Sequence, residues 1–365
     1  MNYTCKVKHV FPGGNTTKGF FSYFDQILPQ DEANHIFSIK GGPGVGKSSL
    51  MKKIGKKMTE LDFFVEYHHC SSDPNSLDAL VIPELKVALM DGTSPHIVDP
   101  YNPGAVDEII NLGEYWQEQE IRKHKKEIMA TNAEIKQKFA KAYQYLKAAK
   151  EIYDTYEITE KKALNQIEYY QVKTDFIHEI FTKVKHANKL GKKRHLFSFG
   201  LTPIGITQFR DTIICNYEKR YVLNELIGIN SEEIMNEVVQ MAINKGLYVE
   251  CYHSPIKVEK IEDILLPEIN ISISVNNHYN KCEFDYLKAI DLTQLVKNNY
   301  YQTIKTELNE DQDLFEVLLY KGLNYISKAK KLHDALEAFY VPYMNFNKID
   351  QYLEVLIAKI LSYKE

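Results

Sequence analysis

A glycine-rich segment followed by lysine and serine is the part of this sequence best suited to chemistry. It runs from Gly41 to Ser48 and fits the spacing G-x-x-x-x-G-K-[ST]. In this pattern the glycines let successive backbone N–H groups turn toward one anion, and the following helix directs the positive end of its dipole at that anion. The ammonium group of Lys47 would reach the β- and γ-phosphates of a nucleoside triphosphate, and the Ser48 hydroxyl would hold Mg²⁺.

The flanking residues agree with this interpretation. A β-type run, Ile36–Lys40, precedes the glycines, and apolar residues at helical spacing follow them at Leu50, Met51, Ile54 and Met58. Strand, loop and helix in this order predict triphosphate binding; a glycine-rich turn without a ligand is the alternative. The predicted nucleotide is ATP, with GTP left open. The predicted binding residues are Gly41, Gly42, Pro43, Gly44, Val45, Gly46, Lys47, Ser48 and Ser49.

Acidic residues supply the remaining candidates for metal binding and catalysis. Asp91 ends a β-type run and would hold Mg²⁺ together with Ser48, although an aspartate before glycine is also a common turn residue. Glu84 or Glu66 could orient the attacking water, because hydrolysis needs a carboxylate near the γ-phosphate. The predicted catalytic residues are Lys47, Asp91 and Glu84, and the predicted metal ligands are Ser48 and Asp91.

Two further hypotheses concern charge near the γ-phosphate. His96 could sense this phosphate, although a solvated loop histidine is the simpler interpretation. Three of the four arginines, Arg194, Arg210 and Arg220, lie early in the second half of the chain. One of them could act as an arginine finger if that half packs against the phosphate site. Surface ion pairs are the usual alternative for arginine.

The elements that position these residues occur twice. Residues 9–25 align without gaps on 195–211, with six of 17 positions identical, at an offset of 186. Residues 65–85 match 249–269 at an offset of 184, and residues 145–157 match 325–337 at an offset of 180. Three matches in the same order at nearly one offset predict an internal duplication of about 180 residues.

Each repeat alternates strands with a helix and then becomes helical. This pattern predicts an α/β fold with P-loop NTPase-type parallel sheets in two duplicated halves, each followed by a long helical hairpin. The first domain is predicted at residues 1–190, with a helical arm from roughly 106 to 190. The second is predicted at residues 191–365, with a helical tail from roughly 284 to 365.

The second repeat lacks the phosphate loop. Alignment of Met235 with Met51 places Ser231 at the position of Lys47 and Glu232 at the position of Ser48, with two residues missing just upstream. A carboxylate in place of the serine and the loss of the lysine predict an inactive second repeat. The counterpart of the strand that ends in Asp91 ends in Val275, and this joint loss strengthens the metal role of the aspartate.

Residues present in both repeats are better explained by the fold than by catalysis. They include the pairs His9 and His195, Glu66 and Glu250, and His69 and His253, together with a Pro-Glu dipeptide at 83–84 and 267–268. Because these residues persist in a repeat that has lost its phosphate loop, packing or internal hydrogen bonding is the simplest account of them.

Composition restricts the class of protein. The chain has 365 residues, 44% of them hydrophobic, and a formal net charge of −4, which predicts no general attraction to nucleic acid or to anionic membranes. Its five cysteines are scattered, which predicts reduced thiols in a cytoplasmic protein. Neither an N-terminal signal nor a membrane span is predicted. Residues 118–194 carry 18 Lys and Arg against 11 Asp and Glu, so a protein partner for the helical arms is open and nucleic acid is the less favoured partner.

Several segments together resemble a bacterial family of tandem-repeat P-loop ATPases found in spore-forming Firmicutes. The similar segments are Gly41–Ser48, Val65–Cys70, Ile82–Leu85, Asp91–His96, Val98–Pro100 and Pro103–Glu108. The resemblance implies ATP binding and hydrolysis and no established substrate. In that family the second half often carries its own phosphate loop, which this sequence lacks.

Three functions follow as hypotheses. The leading one is a Mg-ATP-binding protein that hydrolyses ATP in its first half, with the second half as an inactive repeat. A small-molecule kinase with an acceptor pocket near residues 68–73 is the alternative within enzymes. A nucleotide-binding switch or scaffold with little turnover is the third, and phosphate release from ATP distinguishes among them.

Overall fold

Two six-stranded sheets with the same strand order form the framework of the molecule. The computed structural model describes residues 5–93 and 99–364. The first half contains strands β1 Val7–Val10, β2 Gly13–Thr16, β3 Gly19–Ser22, β4 His35–Lys40, β5 Val65–Cys70, β6 Asp73–Ile82, β7 Val87–Asp91 and β8 Asp107–Asn111. Its helices are α1 Lys47–Glu60, α2 Glu118–Lys123, α3 Lys125–Lys161 and α4 Gln166–Phe181.

The second half repeats this arrangement. Its strands are β9 Lys193–Phe197, β10 Phe199–Thr202, β11 Gly205–Gln208, β12 Lys219–Asn224, β13 Val249–His253, β14 Ile261–Leu266, β15 Ile271–Asn276 and β16 Lys288–Asp291. Its helices are α5 Arg210–Ile214, α6 Glu232–Asn244, α7 Asn298–Glu337 and α8 Phe346–Leu361. The sheets read β1-β5-β6-β7-β4-β8 and β9-β13-β14-β15-β12-β16, so the predicted α/β fold with two similar halves is confirmed.

One strand in each sheet departs from the predicted parallel arrangement. β6 runs antiparallel to both β5 and β7, and β14 runs antiparallel to β13 and β15. The connections explain this difference, because β6 continues into β7 through a single 3-10 turn, Pro83–Leu85. A connection this short can reverse the chain but cannot return it to form a parallel neighbour.

The helical tails are exchanged between the halves. α4, from the first half, buries Phe176 and Ile180 in the core formed by the second sheet and α6. α8, from the second half, buries Leu356 and Ile360 in the core of the first sheet and α1. The apolar face of each tail therefore completes the core of the opposite half.

The two long helices pack on each other rather than projecting as separate arms. α3 contributes Ala142, Leu146 and Ala149 to a shared core in which α7 contributes Phe315 and Leu319. Helix α7 has a glycine at the closest approach, where a Cβ on Gly322 would lie 2.7 Å from Leu146 Cδ2. In the described part of the chain, no helix has both the length and the apolar composition needed to span a membrane.

A buried group of four charges joins the edges of the two sheets. Lys8 on β1 contacts Glu66 at 2.5 Å and Glu250 at 3.0 Å, and Arg194 on β9 contacts the same two carboxylates at 2.8 and 3.4 Å. Burial raises the pKa of Glu66, but the charges of Arg194 and Lys8 outweigh it and hold that pKa well below its ordinary value. The cluster joins the two halves, because each cation contacts one carboxylate of the first half and one of the second.

Next to this cluster, each half contains a hydrogen-bonded histidine pair. His69 Nδ1 donates to the carbonyl of Pro74 and leaves its Nε2 to accept from His9 Nδ1, each at 2.7 Å. The second half has the same arrangement between His195 and His253. The interpretation that these repeated residues serve the fold is confirmed.

The prediction of five reduced cysteines is wrong for one pair. Cys5 and Cys215 form a disulfide, with Cα atoms 6.1 Å apart. The two residues are 210 positions apart, and packing of α5 beside β1 brings them together. Sequence spacing could not reveal this proximity. Cys70, Cys251 and Cys282 are free.

Candidate functional site

The phosphate loop, Gly41–Ser48, connects the carboxyl end of β4 to α1. Gly44 and Gly46 have φ values of +70° and +93°, in the left-handed region where glycine is favoured, and Gly46 caps the helix. Val45 is buried, whereas the other loop residues stay accessible and Ser49 is exposed. This geometry turns the loop backbone toward one point at the N-terminus of α1, where an anion is stabilised.

Lys47 folds back over the loop. Its Nζ donates to the carbonyls of Gly41 and Gly42, each at 2.9 Å, and lies 3.6 Å from Asp91 Oδ2. The ammonium group therefore stands above the phosphate loop, next to the carboxylate that ends β7.

Ser48 and Asp91 lie on the same side of the loop. The Ser48 hydroxyl oxygen accepts from the Leu77 N–H at 3.0 Å, so its hydrogen can point into the site. Asp91 faces Lys47 because β7 is the parallel neighbour of β4, with Ile39 opposite Asp91. Hydroxyl and carboxylate oxygens are the donor set that Mg²⁺ prefers, so the residues fit the predicted ion.

Asp78 is a site residue that the sequence analysis missed. It lies on β6 one residue before Ala79, which pairs with Met90, so it stands beside Asp91 on the neighbouring strand. Burial, followed by the charge of Asp91, raises the pKa of Asp78 to about 8. The site thus contains two adjacent carboxyl groups. The sequence pattern predicts a parallel β6. Because β6 is antiparallel, its first residues lie beside the phosphate loop.

The end of the second half covers the phosphate loop. We call residues 337–346, which connect α7 to α8, the covering segment. A Cβ on Gly44 would lie 2.8 Å from Val341 Cγ2 and 3.2 Å from Glu337 Cβ, and one on Gly42 would lie 2.9 Å from Tyr340 Cε1. The loop glycines therefore allow this segment to approach the backbone closely.

The corresponding loop of the second half is filled by its own side chains. β4 pairs with β7 in the same register as β12 pairs with β15, at a constant offset of 184 residues. The second loop therefore has the same length as the first, and the prediction that two residues are missing from it is wrong. At this offset Glu225 is the counterpart of Gly41. The Glu225 carboxylate accepts from the N–H and the hydroxyl of Ser231, each at 2.8 Å, and pairs with buried Lys260. A protein carboxylate thus occupies the place where the first loop would bind phosphate.

Two more acids close this second loop. Glu160, near the end of α3, accepts from the Gly228 N–H at 2.7 Å, and Glu157 accepts from the side chain of Asn230 at 2.7 Å. In the covering segment of the first loop, Tyr340 replaces Glu160. The first loop therefore lacks this carboxylate and keeps its N–H groups available for an anion.

The structure does not bring Glu84 to the site. It lies in the turn before β7, at the end of the strands away from the phosphate loop. Its carboxylate accepts from the Phe64 N–H at 3.0 Å. Its counterpart Glu268 accepts from the Tyr248 N–H in the same way. Glu66 belongs to the buried charge cluster. His96 lies outside the described residues.

The arginines also have other roles. Arg194 belongs to the buried charge cluster, Arg210 is buried against Asp263 at 2.7 Å, and Arg220 donates to the carbonyl of Tyr217 at 2.8 Å. These positions do not support the arginine-finger hypothesis. The Pro103–Glu108 segment that suggested the family resemblance is also structural, because Asp107 accepts backbone hydrogen bonds in the turn that leads into β8.

The strand–loop–helix connection and the two mixed α/β sheets are consistent with P-loop NTPase-like halves. A comparison with protein-family models matches residues 22–333 to the KAP family P-loop domain. This span covers most of the chain, which therefore belongs to the KAP family of P-loop NTPases, and membership implies nucleotide binding. Comparisons with curated proteins and with solved structures gave no significant match.

Proposed function

We propose that the first half binds and hydrolyses Mg-ATP and that the second half is an inactive repeat. The observation that carries this proposal is the difference between the two loops. The first presents Lys47 and open N–H groups, whereas the second is occupied by Glu225. A charged internal ligand at the second loop leaves no place for a triphosphate, so one nucleotide per chain is expected.

The residues of the first site have distinct roles in this proposal. Lys47 and the loop N–H groups bind the β- and γ-phosphates, and Ser48 and Asp91 hold Mg²⁺. The bound ion would neutralise charge on the β- and γ-phosphate oxygens. Asp78 takes the water-orienting role first assigned to Glu84, because it is the second carboxyl group beside Lys47 and Asp91.

Titration calorimetry with a non-hydrolysable ATP analogue and Mg²⁺ tests the binding. We expect one site per chain and at least a tenfold weaker affinity for Lys47→Ala, because the lysine is a direct phosphate contact. Ser231→Ala, at the equivalent position of the second loop, is the matched control and should bind as the wild type does. Two nucleotides per chain, or equal effects of the two substitutions, would contradict the proposal.

Phosphate release separates hydrolysis from the alternatives. Steady release from ATP alone supports an ATPase, and transfer only to an added acceptor would support a kinase. The residues suggested for an acceptor pocket are bonded internally, as His69 is to His9. A switch that binds without turnover is the second candidate, because the covering segment links the loop to α7, whose opposite face exposes Val317 and Tyr320 for a protein partner.

A further inference from the structure

Hydrolysis of a triphosphate develops negative charge on the γ-phosphate and on the leaving oxygen, and a cation beyond the loop lysine stabilises this charge. Arg194, Arg210 and Arg220 are bonded elsewhere, and no contact among the described residues joins Arg122, which pairs with Glu118 on its own helix, to the phosphate loop. Lysines near the phosphate loop are therefore the remaining source of such a cation.

The last two turns of α7 lie across the mouth of the site. Lys330, His333 and Glu337 follow one another at spacings of three and four residues, so they share one face of the helix. At one end of this face Glu337 packs on Gly44 of the phosphate loop. The face extends about 10 Å along the helix axis from there to Lys330.

At the other end, Lys330 contacts the start of β6. Its Nζ lies 3.2 Å from Asp73 Oδ2, and it also pairs with Asp334 on its own helix. The same short stretch of β6 carries the Leu77 N–H that contacts Ser48 and then Asp78. Lys330 therefore stands on the side of the site where Ser48 would hold Mg²⁺, whereas Lys47 contacts the carbonyls of Gly41 and Gly42.

We propose that Lys330 exchanges Asp73 for the γ-phosphate of bound ATP, so that the second half supplies a catalytic cation to the site in the first half. This inference rests on the proposed function. Water attacks the γ-phosphorus while the bond from this phosphorus to the β,γ-bridging oxygen breaks, and the electron pair stays on the departing ADP. Both hydrogens of the water leave with the phosphate product as H₂PO₄⁻. Lys330 remains an ammonium ion and forms no covalent bond.

The electrostatics of Lys330 suit this role. Partial burial lowers its pKa, but the carboxylates of Asp334 and Asp73 outweigh this effect and raise the pKa, so the side chain is charged at neutral pH. The side chains of Lys330 and Asp73 are 23% and 24% exposed. Water therefore reaches the pair, so a phosphate oxygen can replace Asp73 as the partner of the ammonium group.

The helix that packs on the second loop offers a matched control. Lys150 on α3 corresponds to Lys330 at the offset of 180, and it pairs with Asp154 of its own helix as Lys330 does with Asp334. Lys257 is the counterpart of Asp73 at the offset of 184, and it pairs with Glu157. Lys150 therefore occupies the same place above a loop that holds no nucleotide in the proposed function.

The test compares Lys330→Met with Lys150→Met in the full-length protein. We expect Lys330→Met to lower kcat for phosphate release roughly 100-fold or more, with less than about a threefold change in the Kd of the non-hydrolysable analogue. Lys330→Arg should restore part of kcat, because it keeps the charge. Lys150→Met should leave both quantities unchanged. Thermal melting of each variant verifies folding.

Three outcomes would overturn the inference. They are wild-type turnover in Lys330→Met, equal losses in Lys330→Met and Lys150→Met, and a loss in Lys330→Met that lies wholly in analogue binding. Each of these leaves the proposed function intact as long as the wild-type protein releases phosphate and Lys47→Ala weakens binding at least tenfold. Absence of turnover in the wild-type protein would instead overturn both the proposed hydrolysis and the role of Lys330.

Discussion

The carboxylate of Glu225 accepts hydrogen bonds from the backbone N–H and the hydroxyl of Ser231, each at 2.8 Å. Ser231 takes the place of the phosphate-loop lysine, and Glu225 that of the first loop glycine. The second loop therefore satisfies its own donors, together with Lys260, and needs no ligand to be stable. In the described part of the chain, no carboxylate accepts from the N–H groups of the first loop, so in the proposed function these groups bind the phosphates.

Removing the charge of Glu225 should destabilise the protein without creating a binding site. Glu225→Gln leaves Lys260 buried beside a neutral amide, and breaking a buried ion pair costs about 3 kcal/mol. Urea denaturation measures this loss. Glu259→Gln is the control, because the pair of Glu259 with Lys18 is exposed and should contribute under about 1 kcal/mol. Equal stability of the two variants would contradict the buried contact.

The exchange of helical tails predicts that a substitution in one half destabilises the other. Ile360→Ala in α8 should lower the free energy of unfolding by about 2–5 kcal/mol, because it leaves a cavity in the core of the first sheet. Hydrogen exchange should then increase in β4 and β7. Phe176→Ala in α4 should increase exchange in β12 and β15 instead. If faster hydrogen exchange were confined to the half that carries the substitution, each helical tail would not pack on the opposite half.

The charge cluster between the sheet edges should be sensitive to loss of one cation. Lys8→Met leaves Glu66 and Glu250 to share Arg194, with a cost of about 3–5 kcal/mol. Chemical denaturation of the variant measures this cost. Lys18→Met removes an exposed lysine from the same half and should have little effect. A loss below about 1 kcal/mol in Lys8→Met would mean that the cluster does not hold the halves together.

The histidine pairs predict lower stability in mild acid. Burial lowers the pKa of His69 and of His253 to about 3, whereas an unfolded histidine titrates near 6.5. Between these values the unfolded state binds more protons, so stability is full above pH 6.5 and falls as the pH decreases toward 3. The slope is about 1.4 kcal/mol per pH unit for each residue, or about 4 kcal/mol for both at pH 5.

Two measurements check this dependence. Urea denaturation at pH 7 and pH 5 gives the loss of stability, and NMR of the imidazole C–H protons follows the titration of each ring. The resonances of His69 and His253 should not shift between pH 7 and pH 5 while the protein remains folded. Titration of either ring near pH 6.5 in the folded protein would contradict the buried, neutral state.

The local elements of the fold were predictable from sequence. The strand before the phosphate loop, the helix after it and the repeat of both carry strong signals in apolar spacing and glycine placement. The exchange of α4 and α8 was not predictable. The apolar spacing of an amphipathic helix indicates that one face is buried, but it does not indicate which sheet covers that face. The antiparallel direction of β6 is hidden for a similar reason, since it depends on turn geometry.

The candidate site divides in the same way. Lys47, Ser48 and Asp91 follow from local pattern, because each lies within or directly after a predicted element. Asp78 and Lys330 do not, since their places depend on strand direction and on the exchanged helices. Glu84 supplies a carboxylate of the required type, but sequence gives no distance, and this side chain instead accepts from the backbone N–H of Phe64.

The position of α8 has a consequence for synthesis of the chain. The sheet that carries the phosphate loop is translated before α8, whose Leu356 and Ile360 complete the core of that sheet. On the ribosome, this core therefore stays open until α8 has been synthesised and has left the exit tunnel. A messenger that stopped before α8 would yield a first sheet without the helix that covers its interior.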